Sequence, residues 1–103
     1  MSDMLVRIKR AVLSGAYVFT EKARSEMAAD ALTEIDVVES ISNAVAIHKA
    51  VRSRSPQRKR RGETLYIIQS TNFAGLFIYT KGKLVPEPAG ETFYVLISAK
   101  RPV

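Results

Sequence analysis

At 103 residues, with 47% hydrophobic and 25% charged side chains, the chain has the size and composition of one soluble globular domain rather than of two domains or a disordered segment. It has no cysteine, which excludes disulfides and thiolate metal sites, and its one histidine, His48, cannot build a metal centre alone. The +6 formal charge, from 16 Lys and Arg against 10 Asp and Glu, favours a polyanionic partner, with nucleic acid ahead of an anionic membrane.

The first predicted helix follows Asp3 as cap, places Leu5, Ile8 and Val12 on one face and ends at Gly15. "AYVF" reads as a short apolar link or strand. Thr20 caps a second, alanine-rich helix that buries Ala23 and Met27. Thr33 and Asp36 form a capping box before a third helix, whose Ile35, Val38 and Ile41 line a face until Asn43.

From residue 46 the apolar period changes to two. "AIHKAV" leads as a strand into a basic loop at 52–62, "TLYIIQS" and "GLFIYTK" are further strands, and "KGK" is a turn at the end of the latter. A loop with Pro86, Pro88 and Gly90 precedes the last strand, "TFYVLISAK". The expected architecture is a single α+β domain over residues 1–103, with N-terminal helices packed on a three- to four-stranded antiparallel sheet.

Charge is distributed unevenly. Residues 52–61, "RSRSPQRKRR", carry six basic side chains (Arg52, Arg54, Arg58, Lys59, Arg60 and Arg61) and no acid, a number equal to the whole net excess. The run has no apolar face with which to enter a membrane. The longest apolar stretches fall far short of the roughly 20 residues that span a bilayer. The start of the chain does not read as a secretory signal, so a cytoplasmic location without membrane contact is expected.

Alternation places Tyr79 and Lys81 on one face of "GLFIYTK" with Phe77, and Tyr94, Leu96, Ser98 and Lys100 on one face of the last strand. Lys81, Lys100 and Arg101 then stand at strand ends, where they can converge on a phosphate. The plain alternatives are that such lysines mark a solvated sheet edge and that Tyr66, Tyr79 and Tyr94 are core or half-buried tyrosines with satisfied hydroxyls. His48 reads equally as a surface residue or a functional one.

No G-x-S-x-G, phosphate-binding glycine loop or H-E-x-x-H occurs. One chemistry suits a basic site without metal or cofactor: cleavage of RNA by its own 2′-hydroxyl, with Lys or Arg stabilising the phosphorane. DNA, lacking that hydroxyl, would be spared.

The segments "YVFTEKARSEM", "ALTEIDVVESI" and "YVLISAKRP" resemble the small RelE-superfamily toxins, in particular the MqsR-like mRNA interferases and a related uncharacterised family with a T-x-H-A-x-x-x-M pattern and an I-x-x-x-D-V helix. The resemblance runs from residue 4 to residue 102. It implies an mRNA-cleaving toxin of a type II pair, neutralised by a cognate antitoxin. It also implies a catalytic lysine in the last strand, here Lys100, and a tyrosine and basic residue from the central sheet, here Tyr79 and Lys81, with Gln69 and Arg58 as further RNA contacts. Where the uncharacterised family has histidine, this chain has Lys22.

Together these readings assign Tyr79, Lys81 and Lys100 to catalysis, and the basic run, Gln69 and Arg101 to RNA binding. The competing reading is a non-catalytic nucleic-acid-binding regulator that uses its second and third helices as a helix-turn-helix. Glu34, Asp36 and Glu39 on the third helix oppose entry into a major groove. A further alternative is a partner subunit whose basic loop orders on binding another protein.

Overall fold

The computed structural model describes residues 2–53, 63–90 and 92–102. Its elements are α1 (Asp3–Leu13), β1 (Tyr17–Phe19), α2 (Glu21–Ala29), α3 (Glu34–Asn43), β2 (Lys49–Arg52), β3 (Thr64–Thr71), β4 (Phe77–Pro86) and β5 (Thr92–Lys100). The α+β class matches the sequence reading, but the sheet is larger than expected and mixed. Among the described residues it has five strands in the order β1-β5-β4-β3-β2. "AYVF" supplies the additional strand, with Tyr17, Val18 and Phe19 pairing parallel to Tyr94, Val95 and Leu96. Three residues are too few to show a period, and their partner lies at the far end of the chain.

The helix starts follow from local capping. Ser2, rather than Asp3, caps α1, its hydroxyl accepting the Leu5 amide at 3.1 Å while Asp3 occupies the first turn, where a carboxylate meets the positive end of the helix dipole. Thr20 caps α2 through the Ala23 amide. Thr33 and Asp36 form the expected capping box on α3, with Asp36 accepting the Thr33 amide at 2.9 Å and Thr33 the Asp36 amide at 3.1 Å. The buried face of α3 is shifted from the expected one. Val37, Ser40 and Ile41 are buried, Val38 is half-buried and Ile35 is 68% exposed.

The core lies between the helices and one sheet face. Leu5 and Ile8 of α1, Val37 and Ile41 of α3, and Ile68, Ile78, Tyr94 and Leu96 of the sheet are essentially inaccessible to solvent. Each such aliphatic side chain contributes about 1.5–3 kcal/mol relative to exposure. Lys9 Nζ reaches the Ser42 carbonyl at 2.9 Å and links α1 to α3.

"KGK" is not a turn. β4 continues through it to Pro86, and the irregularity there is a bulge: Lys81 pairs with Ser98 while Gly82 pairs with Leu96, leaving Ile97 as one extra residue in β5. Gly82 is required by its neighbour, since a Cβ there would lie 2.5 Å from the Tyr94 ring. Tyr94 is fully buried beneath it, and its hydroxyl, expected to be satisfied, has no hydrogen-bond partner among the described residues. Burial, helped by nearby Tyr66, pushes that phenol well above its ordinary range.

Candidate active site

Cross-strand partners in a sheet share a face, as do alternate residues along a strand. Gln69 pairs with Tyr79, and Tyr79 with Lys100, so these three form one rung across β3, β4 and β5. The next rung on the same face runs Lys49, Ile67, Lys81 and Ser98. Tyr79, Lys81 and Lys100 are each partly exposed. The intervening positions of β4, Ile78 and Thr80, are buried against the helices. The lysines therefore occupy the sheet face turned away from the core.

The Ile97 bulge makes this arrangement possible and corrects the simple alternation expected along the last strand. Tyr94 and Leu96 pair with Leu84 and Gly82, on the core side, whereas Ser98 and Lys100 pair with Lys81 and Tyr79, on the outer side. Without the extra residue the strand could not present both sets. Lys81 is also not at a strand end but in the middle of β4. A sheet spacing of about 4.8 Å between strands and about 6.6 Å between alternate residues makes the three positions neighbours on that face.

Lys100 Nζ lies 5.5 Å from the centroid of the Tyr79 ring, a cation–π contact that places the ammonium over the tyrosine. Lys83, further along the same face of β4, is neutralised by Glu63 at 3.1 Å. Among the described residues no carboxylate forms a salt bridge with Lys81 or Lys100.

The remaining sequence candidates are distributed differently. Arg52 ends β2 opposite Thr64, on the face opposite to Lys49. Arg101 follows β5, exposed, with its amide donating to Asp30 Oδ2 at 2.8 Å. Arg54, Arg58, Lys59, Arg60 and Arg61 lie outside the described residues. His48 is exposed, its amide donating to the Ile67 carbonyl. It lines an open cavity of about 650 Å³ with Met4, Val45 and Tyr66. A second cavity, of about 290 Å³, is lined by Arg7, Arg10, Ser14 and Thr92. Neither includes Tyr79, Lys81, Lys100 or Gln69.

Two residues not singled out from sequence join the site. Lys49 lies in the same rung as Lys81, a placement fixed only by the pairing of β2 with β3. Glu26 of α2 accepts the Ser98 hydroxyl at 2.6 Å and the Ala99 amide at 3.1 Å, and Lys22 lies 3.5 Å from its other oxygen. Partial burial pushes Glu26 upward, but Ser98, Ala99, Lys22 and Lys100 together outweigh it and hold the carboxyl below its ordinary value. The four-residue spacing of Lys22 and Glu26 was a visible signal, although it marks many solvated helices.

Among the described residues no group of three or more His, Cys, Asp or Glu is arranged to hold a metal ion, and no helix is long and apolar enough to cross a membrane. No family model matches this chain, and neither does a curated protein or a solved structure.

Proposed function

We propose that this chain is a metal-independent endoribonuclease that cleaves mRNA by attack of a 2′-hydroxyl on the adjacent phosphate. The observation that carries the reading is the Tyr79–Lys100 rung with Lys81 one rung away on the same outward face. In this mechanism the 2′-oxygen bonds to phosphorus as its proton leaves. The P–O5′ bond breaks as O5′ takes up a proton, and the products are a 2′,3′-cyclic phosphate and a 5′-hydroxyl. Lys81 and Lys100 stabilise the extra negative charge on the non-bridging oxygens, where preorganised cations act most strongly on the transition state. The Tyr79 hydroxyl serves the proton transfers, and Gln69 orients the sugar or base beside it.

Electrostatics supports the same reading. The second half of the chain is basic, and the run that begins at Arg52 starts at the end of β2, three residues after Lys49, on the strand that borders the site. The basic run grips the phosphate backbone on either side of the scissile bond. The toxin role follows the sequence resemblance: the cognate antitoxin inhibits by laying an acidic segment over this face.

The test is incubation of purified protein with a defined RNA and its deoxy counterpart in the presence of a chelator. Cleavage of RNA alone is expected, with Lys100→Ala and Tyr79→Phe each lowering the rate about 10²–10³-fold. Tight RNA binding without cleavage would replace the proposal by the non-catalytic regulator. Inertness toward both nucleic acids would overturn both.

A further inference from the structure

β1 covers the edge of β5 only as far as Leu96, leaving the next residues of β5 without a strand neighbour on that side. An open strand edge needs hydrogen-bond partners, and α2 and its two capping residues supply them. The Thr20 amide donates to the Leu96 carbonyl at 3.0 Å, and the Thr20 hydroxyl to the Ile97 carbonyl at 3.3 Å. Glu26 Oε1 accepts the Ala99 amide at 3.1 Å, and Asp30 Oδ2 accepts the Arg101 amide at 2.8 Å. Glu26 of α2 and Asp30, the cap at its C-terminus, are four residues apart, a helical rise of about 6 Å. Ala99 and Arg101 are two apart on an extended chain, about 6.6 Å. The two repeats match closely enough for consecutive carboxylates to hold alternate amides.

Lys100 lies between those two amides. With the backbone held on both sides, the face of the sheet on which its side chain stands is fixed, and on that face the ammonium meets the Tyr79 ring. We propose that Glu26 and Asp30 are positioning residues for Lys100, a carboxylate clamp from α2 and its C-terminal cap that fixes the lysine against Tyr79. Lys22 steadies the clamp by pairing with Glu26. The catalytic consequence rests on the ribonuclease reading, whereas the clamp itself is a property of the fold.

The experiment separates the two. Amide hydrogen exchange and the ring-current shift of the Lys100 ε-methylene are measured by NMR in the wild type, Glu26→Ala, Glu26→Gln and Asp30→Ala. In Glu26→Ala the Ala99 amide is expected to exchange roughly tenfold faster or more, while Ile68 and Ile78 keep their protection. The Lys100 shift moves toward that of a free lysine. Glu26→Gln restores most of both, because its amide oxygen still accepts. Asp30→Ala has the same effect at Arg101 and provides the test should Glu26→Ala fail to fold. An unchanged Lys100 shift in both alanine variants, or protection lost evenly across the sheet, overturns the clamp. Where RNA is cleaved, Glu26→Ala lowers kcat at constant KM. If wild-type protein cuts no RNA, the NMR readouts still decide the clamp, so the two failures are distinguishable.

Discussion

Gly82 lies directly against the Tyr94 ring in the sheet that carries the site. The ring occupies the volume a Cβ would need, and the bulge that reverses the face of β5 lies at the same point. Gly82→Ala therefore has to displace either the ring or the strand, with an expected destabilisation of about 1–3 kcal/mol measured by urea unfolding. Loss of the Tyr79–Lys100 contact should accompany it, because the bulge sets which face Lys100 occupies. The importance of Gly82 was not legible in the sequence: "KGK" carries the composition of a turn, and only the partner strand shows that the chain continues straight through. Tyr79, Lys81 and Lys100 were legible as residues, but their common face was not. Simple alternation groups Lys100 with Tyr94, and a single additional residue, Ile97, reverses that grouping.

The helices were the most legible elements because their signals are local. Thr20, Thr33 and Asp36 announce helix starts within four residues of themselves, and the structure uses all three. Asp36 goes further, also accepting Asn72 Nδ2 at 3.1 Å from the β3–β4 connection. β1 was illegible as a parallel strand because its pairing depends on a partner 77 residues away. The role of α2 as a cover for the β5 edge was hidden for the same reason.

That role has a pH signature. Glu26 is held below its ordinary value of 4.5 by Ser98, Ala99, Lys22 and Lys100 against the opposing effect of burial. The folded carboxyl thus binds its proton less readily than the unfolded one. Its contribution to stability is present above the unfolded value and is lost as pH falls through the lower folded value. Unfolding measured at pH 7 and pH 3 should show wild type losing more stability than Glu26→Gln, the other carboxylates, Asp36 included, being common to both proteins.

At the scale of the whole molecule, helices cover one face of the sheet, and the other face carries Lys49, Lys81, Lys83 and Lys100 among apolar neighbours such as Ile67 and Phe77, with the arginine-rich run beginning at the edge strand β2. The net charge of +6 led to the expectation of a polyanionic partner, and the pairing of β2, β3, β4 and β5 groups Lys49, Lys81, Lys100, Tyr79 and Gln69 on one face of the sheet. Binding to such a surface should weaken steeply with salt for RNA and DNA alike, since both release counterions from phosphates. Catalysis should distinguish them, because only RNA carries the nucleophile. The most direct measurement is mass spectrometry of the ends left when purified protein meets a defined RNA in chelator. A 2′,3′-cyclic phosphate facing a 5′-hydroxyl is expected, with the deoxy counterpart untouched. A 3′-hydroxyl facing a 5′-phosphate, or RNA that stays whole, would contradict it.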